Sequence, residues 1–221
     1  MSLTAAFFDV DGTLVKSTVV DYYLYLATQG VSPLQRWWTT VQLASKVPYY
    51  LLLDSLSRDY FNQMFYRNYR GISVEHCQRW SQIHFKEMIY PRLFPAALDC
   101  IDLHREQERQ IVLVTGSLDF IIAPLSEFLD AKALTACLQA VNDKYTGKLV
   151  GVPLIGKEKG RAMQEFALEQ GIDLTQSYAY GDSAADLPML QMVGYPVAVN
   201  PDSTLYRFAK KNKWEVQYWK T

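Results

Sequence analysis

Apolar residues run almost without a break through Ala5-Ala6-Phe7-Phe8, and a near-continuous run of this kind suits a strand buried on both faces of a parallel sheet. The pattern predicts a strand over residues 4–10. From about Lys16 to Phe94 the spacing turns helical, with breaks near Gly30-Val31-Ser32-Pro33, Ser55 to Ser57 and Gly71-Ile72-Ser73. Beyond Pro95 the period alternates. It predicts a helix to about Gln107, a strand Ile111 to Val114, a helix Leu118 to Leu129 and a hairpin around Asn142 to Gly147. There follow a helix Lys157 to Gln170, a strand Ser177 to Tyr180, a helix Ala184 to Met192, a strand Pro196 to Val199, a short helix Thr204 to Lys211 and a last strand Trp214 to Gln217.

Alternating strands and helices put the chain in the α/β class, with a parallel sheet covered by helices on both faces. The helical block after the first strand is then an insertion. The expected division is a core of residues 1–15 and 95–221 and a helical cap of residues 16–94. The cap holds about half of the chain's Trp, Tyr and Phe. Adjacent pairs such as Trp37-Trp38 and Tyr49-Tyr50 cannot both face one helical core. Some of these rings must therefore face solvent, the core or a ligand.

The 221 residues carry a formal net charge of -1, which leaves no electrostatic footprint for nucleic acid. Three widely spaced cysteines fit neither a disulfide framework nor a zinc pattern, and a cytoplasmic setting is expected. No basic region precedes the first apolar stretch, so a signal peptide is not expected. The stretch Val41 to Leu53 is interrupted by Lys46 and Pro48 and is too short to span a bilayer. The aromatic cap leaves peripheral contact with a membrane open. His76, His84 and His104 have no partner at ligand spacing and are assigned no chemistry.

Chemistry concentrates at four places. Asp9-Val10-Asp11-Gly12-Thr13 follows the first strand, where open α/β sheets place their sites. Residues i and i+2 of a strand point the same way, so the two carboxylates converge unless the turn at Gly12 re-aims the second. Thr115-Gly116-Ser117 follows the second strand and suits a phosphate cradle, with a hydroxyl, close backbone approach and a helix start. Ser117 reads equally as a helix N-cap. Gly156-Lys157-Glu158-Lys159 opens a helix and offers a fixed positive charge. Gly181-Asp182-Ser183-Ala184-Ala185-Asp186 ends another strand; Asp182 could coordinate a hard cation, for which Mg²⁺ is suited, and Asp186 could orient the lysine.

The order Asp9-x-Asp11-Gly12-Thr13, Thr115-Gly116, Lys159 and Gly181-Asp182-x-x-x-Asp186 resembles the motifs of the haloacid dehalogenase superfamily. A helical insert directly after the first motif is similar to its phosphoserine-phosphatase-like branch. The resemblance implies a Rossmann-like core and a phosphatase acting on a small-molecule phosphomonoester. It implies Asp9 as nucleophile, Asp11 as general acid and base, Thr115 and Gly116 on the phosphoryl group, and Lys159 as its neutralising charge. It places Mg²⁺ between Asp9, Asp182 and the Asp11 carbonyl. Lys159 is preferred to Lys157 because the branch sets its lysine just before the amphipathic helix. An aspartate at position 11 speaks for phosphomonoester hydrolysis. Thr18 stands where phosphoserine phosphatases carry a substrate-binding glutamate, and Ala185 where they tend to carry asparagine. With the aromatic cap, these departures favour a less polar or bulkier organic phosphate over phosphoserine. Thr18 is expected at the cap boundary with tyrosines of Asp21 to Leu26 and Arg67 or Arg70. The alternative of another class is a non-catalytic phosphate-ligand or membrane-surface binding module.

Overall fold

The structure, a computed structural model, describes residues 3–220, apart from the side chains of Asp54 and Ser55. Six strands form one parallel sheet. Strand β1 (Ala5–Phe8) lies in the middle, flanked on one side by β2 (Gln110–Leu118) and then β3 (Lys132–Ala136). Strands β4 (Leu138–Val141) and β5 (Lys144–Leu149) form a separate antiparallel pair. On the other side of β1 stand β6 (Tyr178–Gly181), β7 (Tyr195–Val199) and β8 (Glu215–Gln217). The chain leaves β1 toward β2 and later returns to β6 on its opposite flank. That reversal opens a crevice at the carboxyl ends of β1, β2 and β6.

All four residues of β1 are buried, and they alternate between two hydrophobic clusters. Ala5 and Phe7 join residues such as Met163, Met189 and Leu205 on the face covered by α8 (Lys157–Gln170), α9 (Leu187–Leu190) and α10 (Ser203–Lys211). Ala6 and Phe8 face α6 (Pro95–Glu106) and α7 (Asp119–Phe128), and their cluster continues without interruption into the insert through Tyr22, Leu26, Phe65, Tyr66 and Tyr69. The insert consists of α1 (Val19–Thr28), α2 (Pro33–Ser45), α3 (Val47–Leu56), α4 (Arg58–Tyr66) and α5 (Val74–His84), followed by a π-helical turn Phe85–Ile89. Many of its aromatic rings are thus core residues. Of the adjacent pairs, Tyr50 is buried while Tyr49, Trp37 and Trp38 are exposed, as one helical face requires.

Four local differences from the sequence expectation have physical causes. Strand β3 was not expected; it is a short edge strand with only its last residue buried, so it lacks an apolar run. Strand β2 continues through Thr115-Gly116-Ser117 to Leu118, which itself caps α7, so Ser117 is not the N-cap. The expected helix Ala184 to Met192 is a 3₁₀ turn Ala184–Asp186 followed by the single turn of α9. One further break separates α2 from α3 at Lys46, just before Pro48. The β4–β5 hairpin turns at Asn142 and Asp143, whose φ angles of 49° and 59° mark the turn type that matches strand twist. It packs on the insert, where the Gly71 amide donates to the Tyr145 carbonyl at 2.8 Å. Among the described residues no helix is long and apolar enough to cross a membrane.

Candidate active site

The Asp9 amide donates to the Tyr180 carbonyl at 2.9 Å, so the β1–β6 pairing extends one residue and fixes Asp9 at the head of the crevice. Its carboxylate is buried. One oxygen accepts from Thr13 Oγ1 at 3.1 Å and the other pairs with Lys159 Nζ. Lys159 lies in the first turn of α8 and also donates to Asp186 Oδ1 at 2.7 Å. Lys157, two residues earlier, is exposed.

Gly12 takes φ +96°, and its amide donates to the Val15 carbonyl at 2.8 Å, folding the chain back beyond β1. The turn gives Asp11 a different set of partners from Asp9. Asp11 Oδ1 accepts from Ser17 Oγ at 2.8 Å and from the Tyr22 hydroxyl at 2.5 Å, and Oδ2 accepts from Ser117 Oγ at 2.6 Å. Among the described residues no cationic side chain pairs with it. Three hydroxyls, two from the start of the insert and one from β2, therefore hold this carboxylate.

Asp186 serves the opposite turn. Its Oδ2 accepts from the amides of Asp182 at 3.2 Å and Ser183 at 3.1 Å, and from Ser183 Oγ at 3.1 Å. A Cβ on Gly181 would meet Asp186 Cβ at 2.6 Å, so only glycine permits this approach. Asp182 projects toward Gly12, where a Cβ would come within 2.2 Å of its Oδ2. Carboxylate oxygens of Asp9, Asp182 and Asp186 all lie within 4.8 Å of one another.

One lysine for three close carboxylates leaves negative charge in excess. Burial pushes the Asp9 carboxyl up to about 7 and Asp182 up to about 8, with neighbouring carboxylates adding to both shifts. Burial opposes the charge on Lys159, but Asp186 and Asp9 outweigh it and hold the ammonium above its usual value. The all-oxygen donor set and the side-chain-free face of Gly12 against Asp182 fit a small hard cation such as Mg²⁺. Asp186 is engaged by Lys159 and its own turn, and Asp9 and Asp182 are side chains that could hold it.

Thr115 Oγ1 accepts from the Ser117 amide at 3.0 Å, so its own proton remains available for another acceptor. The Gly116 carbonyl accepts from the Tyr66 hydroxyl at 2.6 Å, joining the insert to β2. Asp9, Asp11, Thr18, Thr115, Gly116, Lys159 and Asp182 line one cavity of 410 Å³. Asp186 stands behind it. Thr18 borders the cavity, but its hydroxyl caps α1, accepting from the Asp21 amide at 3.3 Å and donating to Asp21 Oδ2 at 2.9 Å. The insert contributes Val19, Val20, Arg58, Phe61 and Asn62 to the same wall. Neither Arg67 nor Arg70 lines it; Arg67 backbone lies against Gly147 of the hairpin, so the expected arginine is replaced by Arg58 at the start of α4. Sequence reasoning also missed Ser17, Tyr22 and Ser117 as partners of Asp11. The hydroxyl at 117, next to Thr115-Gly116, and Tyr22, among the tyrosines expected at the cap boundary, carried a signal.

Carboxylates and a buried lysine gather at the carboxyl ends of a parallel sheet, beside helices that close one side of the cavity, an arrangement suited to handling phosphate. The chain belongs to the haloacid dehalogenase-like hydrolase family, which it matches over residues 6–191. It is 32% identical to a probable phosphatase of Mycobacterium tuberculosis, over 96% of this chain and 74% of the relative. Over 75% of its length it is 27% identical to 85% of a histidinol-phosphatase of Neisseria meningitidis. A solved phospho-aspartyl intermediate analogue of phosphoserine phosphatase shares the fold, with TM-score 0.70 and 20% identity over 99% of this chain and 94% of that one. The protein is an enzyme of the phosphatase class, and its fold is similar to that of phosphoserine phosphatase.

Proposed function

We propose that the enzyme hydrolyses the phosphomonoester of a small or amphipathic organic alcohol through a phosphorylated Asp9, in a cytoplasmic setting supported by three free cysteines. The observation that carries this reading is the difference between the surroundings of Asp9 and Asp11. Asp9 faces Lys159 and the cation-poor carboxylate cluster, while the hydroxyls of Ser17, Tyr22 and Ser117 hold Asp11. Asp9 attacks phosphorus in line with the ester bond, and Asp11 delivers a proton to the leaving oxygen. Asp11 then takes a proton from the water that attacks the phosphorylated Asp9. Thr115, the Gly116 amide and Lys159 neutralise and orient the phosphoryl oxygens. Asp9, Asp182 and the Asp11 carbonyl would hold Mg²⁺, whose charge lets an anionic nucleophile meet an anionic phosphate. Residues 16–94 act as a cap that shields this chemistry from bulk water, over a core of residues 1–15 and 95–221.

Val19, Val20, Phe61 and Ile155 in the cavity wall favour an organic half that is not wholly polar. Phosphoserine is the second reading, favoured by Arg58, whose guanidinium suits a substrate carboxylate. A purely binding role gains no support from a complete set of carboxylates around one cavity. The test is hydrolysis of p-nitrophenyl phosphate, phosphoserine and a neutral alkyl phosphate, each with Mg²⁺ and with EDTA. Turnover that requires Mg²⁺, with the neutral phosphate preferred to phosphoserine, is expected. Absence of Mg²⁺-dependent turnover on all three would refute the catalytic reading, and preference for phosphoserine would replace the first substrate by the second.

A further inference from the structure

Helix α2 and the start of α3, separated only by Lys46, form a segment that the rest of the protein barely covers. Across residues 32–51 only Leu43 and Tyr50 are buried. Leu34, Trp37, Trp38 and Val41 fall at i, i+3, i+4 and i+7, the spacing of a single apolar stripe. Such a stripe ordinarily faces a core, yet these four side chains are 75%, 58%, 55% and 39% exposed. Val47, Tyr49 and Leu51 extend the uncovered surface along α3. Helices of this length draw most of their stability in proteins from burying an apolar face. That of α2 meets water.

The chemistry of the surroundings selects what covers it. Residues 31–53 contain Arg36 and Lys46 and no aspartate or glutamate, although the whole chain has net charge -1. Paired tryptophans with a nearby tyrosine and basic side chains are the composition of a helix lying in the headgroup region of a membrane. Helical spacing sets Arg36 and Lys46 away from the stripe, as the basic polar side of a helix whose apolar side enters a membrane interface. The 13 residues of α2 span about 20 Å, short of the roughly 30 Å hydrocarbon layer, and no described helix is long and apolar enough to cross a membrane, so the segment would lie on a bilayer. We infer that the α2–α3 segment is a docking surface for a bilayer rich in anionic phospholipid. Trp37 and Trp38 are its apolar anchors, and Arg36 and Lys46 supply the attraction. After Ser57 the chain enters α4, which carries Arg58 and Phe61 into the cavity wall, so docking surface and cavity belong to consecutive helices.

Flotation of the full chain with vesicles tests this. One set is phosphatidylcholine alone and the other contains about one-third phosphatidylglycerol, each at low and high salt. The expected result is roughly tenfold or greater enrichment on the anionic vesicles, diminished by salt. It should be lost in Trp37→Ser/Trp38→Ser and in Arg36→Glu/Lys46→Glu. Both double variants should keep the parent rate on p-nitrophenyl phosphate, because none of the four residues lines the cavity. No flotation of the parent, flotation that survives the tryptophan substitutions, or a tryptophan-dependent dimer in sedimentation velocity without lipid would each overturn the inference. The soluble assay reads the catalytic proposal separately, so the two can fail independently.

Discussion

Replacing Lys159 by methionine keeps an unbranched side chain one atom shorter and removes its charge. The lysine is 5% exposed and touches both Asp9 and Asp186, so the substitution leaves two buried carboxylates without their cation. Breaking a buried ion pair from one side typically costs about 3–5 kcal/mol. For a chain of this size each kcal/mol shifts Tm by about 2–4 °C, so the loss should be roughly 6–20 °C in EDTA at about pH 8. The pH dependence has a definite sign. Burial has already raised Asp9 to about 7, so between the unfolded carboxyl value and that point the folded state holds the extra proton, and stability falls as pH rises. Without Lys159 the Asp9 value moves higher, and the deficit relative to the parent grows with pH. Lys159 itself is held above its usual value, so in the parent the pair stays charged on the lysine side across this range. Thermal melts followed by far-UV circular dichroism at about pH 5.5 and about pH 8 should therefore show the larger deficit at the higher pH. Lys157→Met, at an exposed position, should lie within about 0.5 kcal/mol of the parent at both. A Lys159→Met loss below about 2 °C at the higher pH, or an equal loss at both, would refute the electrostatic reasoning.

Asp11→Asn should lower kcat by about 10²–10⁴ without lowering Tm appreciably, and a parent-like kcat would remove Asp11 from the proton transfers. Gly12→Ala combines φ +96° with a Cβ 2.2 Å from Asp182 Oδ2, so it should cost about 1–3 kcal/mol in a denaturant melt and raise the Mg²⁺ concentration needed for half-maximal turnover. An unchanged Mg²⁺ titration in that variant would separate Asp182 from the cation.

The sheet and its strand-end carboxylates were legible because local pattern encodes them. β1 is a continuous buried run, and α8 spans Lys157–Gln170 as its spacing predicts. The Asn142-Asp143 turn likewise announces its hairpin. What escaped depends on contacts between distant segments. Ser117 meets Asp11 across 106 residues, and nothing beside Ser117 distinguishes that bond from a helix cap. Tyr22 looks like one more aromatic of a helical block until α1 places its hydroxyl on Asp11. Arg58, Arg67 and Arg70 are equivalent in a sequence; the fold alone sends the first to the cavity and sets the second against Gly147. Strand β3 escaped for a different reason, since an edge strand with little burial leaves almost no hydrophobic signal.

The central claim is that Asp9 carries the phosphoryl group between two displacements. Acid quenching during steady-state turnover with Mg²⁺, followed by proteolysis and peptide mass spectrometry, tests it most directly. The account predicts one added phosphoryl group on the peptide containing Asp9, localised to that residue, absent from Asp9→Asn and more abundant in Asp11→Asn if the second displacement is the slower one there. A phosphoryl group reproducibly on another residue, or undiminished Mg²⁺-dependent turnover in Asp9→Asn, would contradict it.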